Sequence, residues 1–592
     1  MVIPQLLPGP LAFASKPFSS MVGKMLRLDE MQSLWAEAGR EGETGPALAR
    51  KVLEKLQIDV AFDSEEFSRI PPIGPVIIVC NHPTGFLEGL ILMSLLPTIR
   101  RDFKFLTNKM LAGASQMTEY MLPVDVSGRS VQANGPAMSS ALNWLRQGGL
   151  LVIFPAGAVS TWNWKQGKSV DPNWNNAAAR LAILTGANTV PIYFNGATSA
   201  AFQIAGAIHP SLRIARMPAE LLLKRGARMD VRVAHSISAR RLKEVEGLDN
   251  QTGFLRAKTY LLALKKSLPA NLPALVEIEG PSVSVAELLK EIKALPKSQV
   301  LEEHSDLVAY VARARQIPAV LTEIGRLREE TFRNAGEGTG QAKDIDTFDA
   351  SYEHIFLWHC KRCEIVGSYR LAKTTCILPE QGVQGLYTST LFRYDAKFFQ
   401  HLGPAVELGR SFVRLEYQKE YAPLLVLWKA ICKFVARDPQ HAILFGAVSI
   451  SKEYNTSTRS LIVEWLRQHS CSEALKGLAS ARHPYGIRGE AEILRFAQSA
   501  SSLEGLSEAV AEIDPQGKGL PVLLRHYLKL GGVAVAFHID MNFAGVLDVL
   551  FLVDLRKADS TSIRRFMGEE EYRSFCDFHR ETKSAGIRVT AL

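Results

Sequence analysis

One histidine and one acid near the start of the chain have the types and spacing that acid–base chemistry requires. His82 follows the apolar run VIIVC (76–80), and Glu88 comes six positions later in the segment NHPTGFLEGL. An imidazole can take a proton from a hydroxyl at neutral pH, and a carboxylate on its other ring nitrogen fixes the tautomer. If an acyl group arrives as an activated thioester, an acceptor hydroxyl can attack it directly and no serine nucleophile is needed. Taken alone, the pair would also suit an ordinary packed histidine.

Four segments of the first half resemble, in order, the motif blocks of glycerolipid acyltransferases of the lysophosphatidic-acid type. The family's first block has Asn-His, four residues and Asp, whereas this chain has five residues and Glu88, a form similar to a hemolysin-like branch. The resemblance implies catalysis by His82 and Glu88. It also implies substrate contacts by Asn81, Phe154, Pro155 and Gly157. The four segments are NHPTGFLEGL (81–90), LPVDVSGR (122–129), LVIFPAGAVS (151–160) and VPIYFNG (190–196).

The third block departs from the family at the positions tied to a glycerol phosphate acceptor. The family has Glu and Arg there, and this chain has Ala156 and Val159. Losing an arginine removes a bidentate phosphate partner, so we expect an acceptor without a glycerol phosphate headgroup. The alternative is that Lys109, Arg129 or Lys165 binds a phosphate instead.

A second set of charged residues in the C-terminal half resembles the acyl-carrier-dependent N-acyltransferases of the acetyltransferase-like (GNAT) superfamily. The segments are RLREETFR, DIDTFD, EIVGSYRL and ELGR, and the resemblance covers about residues 320–555. The family's N-terminal tryptophan has no clear counterpart. The matching positions are Arg328, Phe332, Asp346, Asp349, Arg370, Glu407 and Arg410.

The roles that this resemblance implies fit the acylation of an amine. An amine acceptor is protonated at pH 7 and must lose a proton before it attacks a thioester, so Glu407 is the expected base. Asp346 and Asp349 are expected to hold a cationic amino acid, while Arg370 and Arg410 keep those acids charged. The superfamily also uses backbone amides at splayed strands to stabilise the oxyanion. The alternative for these residues is a structural salt-bridge cluster.

Alternating strand and helix patterns predict the elements that position these residues. Buried strands are expected at 76–80, 103–108, 150–155 and 189–196, with helices between them. The fold class is therefore α/β, with two mixed α/β domains, the first glycerolipid-acyltransferase-like and the second GNAT-like. We place the first domain at residues 1–295, with its motif core at 76–196, and the second at 296–592.

Composition and charge indicate the partners. The net charge is +9 and no zinc-finger or RNA-binding pattern is present, so an acidic protein or an anionic membrane surface is favoured over nucleic acid. The expected donor protein is acyl carrier protein. No metal site, nucleotide loop, or flavin or nicotinamide fingerprint is found, so we expect no cofactor beyond the acylated carrier. No apolar stretch is long enough to span a bilayer, which predicts a cytoplasmic protein, peripheral on the inner face of a bacterial inner membrane.

An O-acyltransferase half and an N-acyltransferase half on one chain resemble the bifunctional ornithine lipid synthases. The resemblance implies N-acylation of ornithine, or of another amino acid, with a 3-hydroxyacyl group, followed by O-acylation of the new hydroxyl. The first alternative is a lysophospholipid acyltransferase whose C-terminal half only binds. The second is a protein that binds acyl chains or carrier protein without turnover.

Overall fold

The computed structural model describes residues 27–108, 115–124, 134–164, 167–265, 283–486 and 490–584. The chain forms two compact units. The first comprises Met1–Ser267 and Glu490–Gly517, and the second comprises Leu268–Gly489 and Lys518–Leu592. Both combine helices with sheets, which confirms the predicted α/β class with two domains. Among the described residues, no helix combines the length and the hydropathy needed to cross a bilayer.

The first unit is built on a seven-stranded sheet in the order β1-β9-β8-β2-β5-β3-β4, with a separate hairpin formed by β6 and β7. All neighbouring strands of the large sheet are parallel except β8 and β9. The strands are β1 (Asp59–Phe62), β2 (Val76–Cys80), β3 (Phe103–Asn108), β4 (Met121–Val124), β5 (Leu150–Ile153), β6 (Thr161–Asn163), β7 (Lys168–Val170), β8 (Asn188–Phe194) and β9 (Arg228–Val233).

Helices cover this sheet, and they include two that come from far along the chain. The helices are α1 (Leu28–Ala38), α2 (Gly45–Lys55), α3 (Ser64–Phe67), α4 (Leu87–Leu95), α5 (Gly135–Arg146), α6 (Ala177–Thr185), α7 (Ala200–Ile208), α8 (Pro210–Leu223), α9 (Ala239–Lys243) and α10 (Leu248–Leu261), and, from the distant segment, α17 (Ala491–Ser499) and α18 (Leu503–Ile513). Every residue of β2 and β5 is buried, as expected for central parallel strands. Residues that follow parallel strands meet at one edge of the sheet, and that edge carries the first candidate site.

The second unit contains an eight-stranded sheet in the order β10-β11-β12-β13-β15-β16-β19-β18, and β14 pairs separately with β17. Its strands are β10 (Val300–His304), β11 (Leu307–Arg313), β12 (Glu353–His359), β13 (Glu364–Lys373), β14 (Phe392–Tyr394), β15 (Ala405–Val413), β16 (Ile443–Ile450), β17 (Ala479–Ala481), β18 (Val533–Asp540) and β19 (Val546–Asp554). Its helices are α11 (Val285–Ala294), α12 (Pro318–Asn334), α13 (Thr374–Gln381), α14 (Phe398–Leu402), α15 (Ala422–Ala436), α16 (Thr456–His469), α19 (Val522–Lys529), α20 (Ser560–Met567) and α21 (Glu569–Ser584).

Strands β15 and β16 are the parallel pair of this otherwise antiparallel sheet, and they pair only over their first three residues. Beyond Glu407 and Phe445, β15 continues along β13 while β16 continues along β19. Gly446 lies at the point of separation, where an added Cβ would be 2.0 Å from the carbonyl oxygen of Leu408. The strands therefore splay apart at a position that only glycine fits.

The two units differ from the predicted division in two places. Helix α11 packs through Leu288 and Ile292 on the core of the second unit, so this unit begins before residue 295. Residues 490–517, expected in the second domain, belong to the first unit. There Phe496 stacks on Phe254 with ring centroids 5.8 Å apart.

Two candidate active sites

Asn81 directly follows strand β2 and begins the loop that carries His82. Its side-chain amide donates to the carbonyl of Phe194 at 2.9 Å, and its Oδ1 accepts the Phe194 N–H at 2.7 Å. Asn81 is buried, and both of its polar atoms are occupied by the backbone of β8. The residue predicted to contact substrate therefore holds the His82 loop against the neighbouring strand.

His82 and Glu88 face each other across the turn between β2 and α4. Glu88 is fully buried, and its Oε1 accepts the N–H groups of Thr84 at 2.5 Å and Gly85 at 3.3 Å. Its Oε2 lies 3.9 Å from His82 Nδ1, and neither atom has a hydrogen-bond partner among the residues that the structure describes. Hydrogen bonds between catalytic groups are often this long until substrate binds. The arrangement leaves the opposite ring nitrogen, Nε2, for a substrate hydroxyl.

Gly85 permits this turn. Its φ is +97°, a conformation that side-chain-bearing residues rarely adopt, and an added Cβ would lie 2.3 Å from Met217 Cε and 2.9 Å from Val159 Cγ2. Val159 is itself buried against the turn. The position at which the glycerolipid family carries an arginine is thus a packing position here.

Asp171 also organises this site, although nothing in the local sequence pointed to it. Its Oδ1 accepts the backbone N–H of His82 at 3.1 Å and the hydroxyl of Ser160 at 2.5 Å. Its Oδ2 accepts the indole N–H of Trp174 at 2.9 Å. This buried carboxylate ties the His82 turn to the segment that follows the third block.

The third block forms the wall beside His82. The Phe154 ring lies 4.4 Å from the imidazole, measured between ring centroids. The Pro155 carbonyl accepts both the backbone and the side-chain N–H of Asn175, at 2.9 and 2.6 Å. Gly157 has a φ of +62° and donates its N–H to the Phe154 carbonyl at 3.0 Å. Phe154 and Gly157 line a pocket, whereas Pro155 anchors the loop, and contact of these residues with a substrate stays a prediction.

A pocket of about 670 Å³ opens in front of His82. Most of its lining is apolar, and Arg180 is its one cationic residue among the described parts of the chain. The alternative phosphate ligands Lys109, Arg129 and Lys165 lie outside the described residues, as does the end of the second block, 125–129. The apolar lining includes Phe86, Leu90, Met93, Phe105, Met121, Met138 and Phe154.

In the second unit, the predicted arginines and aspartates form one buried network. Arg328 pairs with Asp349 at 2.8 Å, and Arg370 pairs with Asp346 at 2.5 Å and with Asp349 at 3.2 Å. Burial would raise the pKa of the Asp349 carboxyl, but the charges of Arg328 and Arg370 bring it well below its usual range. Both predicted aspartates are thus already neutralised by arginines.

Aromatic rings surround the exposed end of this network. The Arg410 guanidinium lies 4.9 Å from the ring centroids of both Tyr387 and Phe543. Phe332, a predicted contact, packs edge-on against Phe543 with centroids 5.6 Å apart. Arg410 has a φ of +48° and forms an ion pair with Asp344 at 3.2 Å, a partner that the sequence motifs did not include. This bend places Arg410 just beyond the point where β15 and β16 separate.

Glu407 lies beneath these rings and is only 1% exposed. Its Oε2 accepts the Tyr352 hydroxyl and the Tyr387 N–H (3.1 Å), and its Oε1 accepts the Thr388 N–H at 2.7 Å. Burial raises the pKa of the Glu407 carboxyl, which is the direction that a base working near neutral pH needs. Its role as the base stays a prediction.

Comparisons with known proteins agree with both halves. Residues 52–271 match the family described as Acyltransferase, and residues 327–429 match the Acetyltransferase (GNAT) domain family. The chain is 31% identical over 277 residues to a glycine N(alpha)-acyltransferase of Bacteroides thetaiotaomicron, covering 43% of this chain and 82% of that protein. The chain therefore belongs to the same acyltransferase family as this relative. A protein of the same name from Phocaeicola vulgatus is 30% identical over 254 residues, covering 41% of this chain and 77% of the relative.

Two solved structures resemble parts of this acyltransferase weakly. The 1-acyl-sn-glycerophosphate acyltransferase PlsC from Thermotoga maritima is 16% identical, with a TM-score of 0.24 over 37% of this chain and 83% of its own. The acyl-homoserine lactone (AHL) synthase LasI is 14% identical, with a TM-score of 0.19 over 25% of this chain and 74% of its own. We draw nothing further from either similarity at these TM-scores.

Three further acids, Glu337, Asp540 and Asp548, lie near the splayed strands of the acyltransferase. Asp548 on β19 lies opposite Ser449 of β16, and burial together with Asp540 raises the pKa of its carboxyl to about 7. Burial and the charge of Asp548 raise the pKa of Glu337 to about 8. Glu337 belongs to the segment GEGTGQ, which is a loop, as the sequence predicted. Asp540 and Asp548 are brought together by the hairpin of β18 and β19, whereas Glu337 reaches Asp548 from a distant loop, which no local pattern could indicate.

Proposed function

We propose that this acyltransferase makes a phosphate-free aminolipid by two acyl transfers. The second unit would first acylate the α-amine of an amino acid with a 3-hydroxyacyl group. The first unit would then acylate the hydroxyl of that product. Two separate proton-accepting centres in two separate units support this order, since only the first product carries the hydroxyl that the second transfer needs.

The observation that chiefly supports the O-acyl transfer is that His82 Nδ1 points towards Glu88 Oε2 beside an apolar pocket. The acceptor hydroxyl would give its proton to His82 Nε2 while its oxygen attacks the thioester carbonyl. The carbon–sulfur bond then breaks, and the imidazolium returns the proton to the departing thiolate. Acyl carrier protein is the proposed donor, because a positive net charge attracts an acidic carrier. No further cofactor is proposed.

The pocket favours an acceptor that carries a carboxylate rather than a phosphate. Ala156 and the buried Val159 bring no charge to the third block, and Arg180 is the one described cation on the lining. A single arginine balances one carboxylate, whereas a phosphate monoester carries about −1.5 to −2 charges. An N-acylated amino acid presents one such carboxylate.

The N-acyl transfer draws its support from the second unit and from the named relatives. Both relatives are N-acyltransferases of glycine, an amino acid. Asp346 and Asp349 already form ion pairs with Arg370 and Arg328. We therefore assign the binding of the positively charged amino group of the acceptor amino acid to the acids at the splayed strands. The charge of Arg410 acts on both Glu337 and Asp548, so the acids outnumber this arginine, which suits a further cation and so favours ornithine. The relatives favour glycine. The three acids are Glu337, Asp540 and Asp548.

Expression in a bacterium that makes no aminolipid tests this function. We expect a new lipid that reacts with ninhydrin and contains no phosphorus, and its mass identifies glycine or ornithine. A His82→Ala strain should accumulate the mono-acylated form, and a Glu407→Ala strain should lose both forms.

The remaining alternative is a lysophospholipid acyltransferase whose second unit only binds. Altered phospholipids with no new aminolipid would support that alternative and contradict the proposal. We further propose that the chain works in the bacterial cytoplasm as a peripheral protein on the inner membrane.

A further inference from the structure

We propose that the first unit docks on an anionic lipid bilayer through a surface made of hairpin β6–β7 and helix α7. We call Trp162, Trp164, Ile204 and Ile208 the interfacial patch. The proposal rests on the proposed function in one respect, namely that acceptor and product are membrane lipids. Its support comes from exposed side chains that play no part in the chemistry described above.

The hairpin presents two tryptophans to solvent. Trp164 is 89% exposed and Trp162 is 43% exposed, with ring centroids 6.2 Å apart. Tryptophan is enriched where one side of a surface is apolar and the other is wet, as at the headgroup level of a bilayer. Exposed apolar side chains that lie together in one patch mark a surface that contacts a protein or a membrane.

Helix α7 adds an aliphatic face beside the hairpin. Ile204 is 62% exposed and Ile208 is 72% exposed, and their spacing of four residues places both on one side of the helix. Gln203 connects the two elements. Its Oε1 accepts the backbone N–H of Trp162 at 3.1 Å, and its side-chain amide donates to the Ser160 carbonyl at 3.2 Å. The aromatic and aliphatic parts of the patch are therefore neighbours.

The charges next to the patch suit an anionic surface. Residues 197–219 contain Arg213 and Arg216 but no aspartate or glutamate. The Arg213 guanidinium lies across α7, so close that a Cβ on Gly206 would be 2.3 Å from its Nε. Basic side chains around inserted apolar residues are the usual composition of a surface that binds anionic lipid.

The patch is also continuous with the first candidate site. Ser160 donates its backbone N–H to the His82 carbonyl at 2.9 Å, and β6 begins at the next residue. Ala158, two positions before Ser160, lines the pocket. Docking through the hairpin would therefore hold the pocket close to the bilayer, where a lipid acceptor can enter without crossing water.

Flotation of the purified full chain with vesicles of phosphatidylcholine and phosphatidylglycerol, in the absence of substrates, tests the proposal. We expect the wild type to float and the W164S/I208S variant to bind about a hundredfold more weakly, from roughly tenfold for each lost apolar side chain. The R213Q/R216Q variant should bind these vesicles about fivefold more weakly for each charge removed, and its binding to vesicles of phosphatidylcholine alone should change little. The control is Ile73→Ser, which removes a side chain that is 82% exposed elsewhere on the same unit.

Failure of this proposal is distinguishable from failure of the proposed function. W164S/I208S should keep its acyl transfer to a detergent-dispersed acceptor while losing it on vesicles. If the wild type does not float, or if W164S/I208S floats as well as Ile73→Ser, the bilayer assignment is wrong. If the variant keeps vesicle binding but needs more acyl carrier protein, the patch binds the carrier protein, which also overturns the assignment.

Discussion

At the scale of single residues, the first site has Glu88 one position after the place of the aspartate in the glycerolipid acyltransferase motif that the segment resembles. The longer side chain and the longer gap compensate each other, because Glu88 sits in the first turn of α4 and still reaches to 3.9 Å from His82 Nδ1. Its other oxygen is held by two backbone N–H groups, which fixes its direction. We propose that Glu88 orients and stabilises the imidazolium and does not take the proton itself.

We therefore expect Glu88→Gln to lower kcat for O-acylation by roughly 10²- to 10⁴-fold, because the neutral amide keeps the shape but cannot stabilise the imidazolium. N-acylation should be unchanged. Steady-state assays of each transfer with the purified chain measure both effects. Glu65→Gln, at an exposed position of the same unit, serves as the control. A variant with full O-acylation activity would remove Glu88 from the mechanism.

A second residue-scale prediction concerns Asp548, whose pKa is raised to about 7 by burial and by Asp540. The folded protein keeps a proton on this carboxyl between about pH 4 and pH 7 that the unfolded chain releases, so this group's contribution to stability falls as pH rises. We expect the free energy of unfolding of Asp548→Asn, taken relative to the wild type, to rise by roughly 2–4 kcal/mol from pH 5 to pH 8.

Urea unfolding at both pH values measures this gain. The comparison must be a difference between variant and wild type, because His354 and His526, whose pKa values burial lowers to about 4, act in the opposite direction below pH 6.5. Asp577→Asn, at an exposed site, should show no such gain. A difference that does not change with pH would contradict the raised pKa of Asp548.

At the scale of elements, the separation of β15 and β16 shapes the second site. It exposes backbone groups of two adjacent strands and brings Arg410 next to Asp344 and Asp346. Backbone amides left free at such a point can stabilise the oxyanion that forms as a thioester is attacked. The separation depends on close approach of Gly446 to the Leu408 carbonyl before the strands part.

Gly446→Ala should accordingly abolish N-acylation or lower it at least about a hundredfold, since its Cβ would lie 2.0 Å from a backbone oxygen and force the strands to move. O-acylation of a supplied mono-acylated acceptor should persist. Gly409→Ala is the matched control, because an added Cβ there meets nothing within 4 Å. Equal N-acylation by the two variants would show that the splay is not needed.

The strands of both sites were largely predictable, and the contacts between distant elements were not. The apolar runs at 76–80 and 103–108 are confirmed as strands with those bounds, since a buried strand leaves a local pattern. The splay of β15 from β16 depends on pairing between strands 38 residues apart, and the meeting of Asp548 with Glu337 joins segments 211 residues apart. A sequence pattern carries no signal of such pairing.

At the scale of the whole molecule, the first unit is completed by a segment from the far end of the chain. Residues 490–517 supply Glu512, whose carboxylate forms an ion pair with the buried Lys258 at 2.5 Å. Their amphipathic helices resemble any surface helix in sequence, which is why the predicted division at residue 295 missed them. The two halves therefore cannot be separated by one cut near residue 295 without removing part of the first unit.

We expect Lys258→Met to destabilise the first unit by about 3–5 kcal/mol, because it leaves the Glu512 carboxylate buried without its cation. The K258M/E512L double variant should recover most of that loss. Thermal unfolding of the full-length variants measures both effects. Equal stability of Lys258→Met and the wild type would mean that the segment is not integral to the unit.

The most direct test of two successive transfers is a time course with the purified chain, 3-hydroxyacyl and acyl forms of carrier protein, and an isotopically labelled amino acid, followed by mass spectrometry. The account predicts that a mono-acylated amide appears first and a diacylated lipid follows, and that His82→Ala stops at the amide. A diacylated product from His82→Ala, or no labelled amide from the wild type, would contradict it.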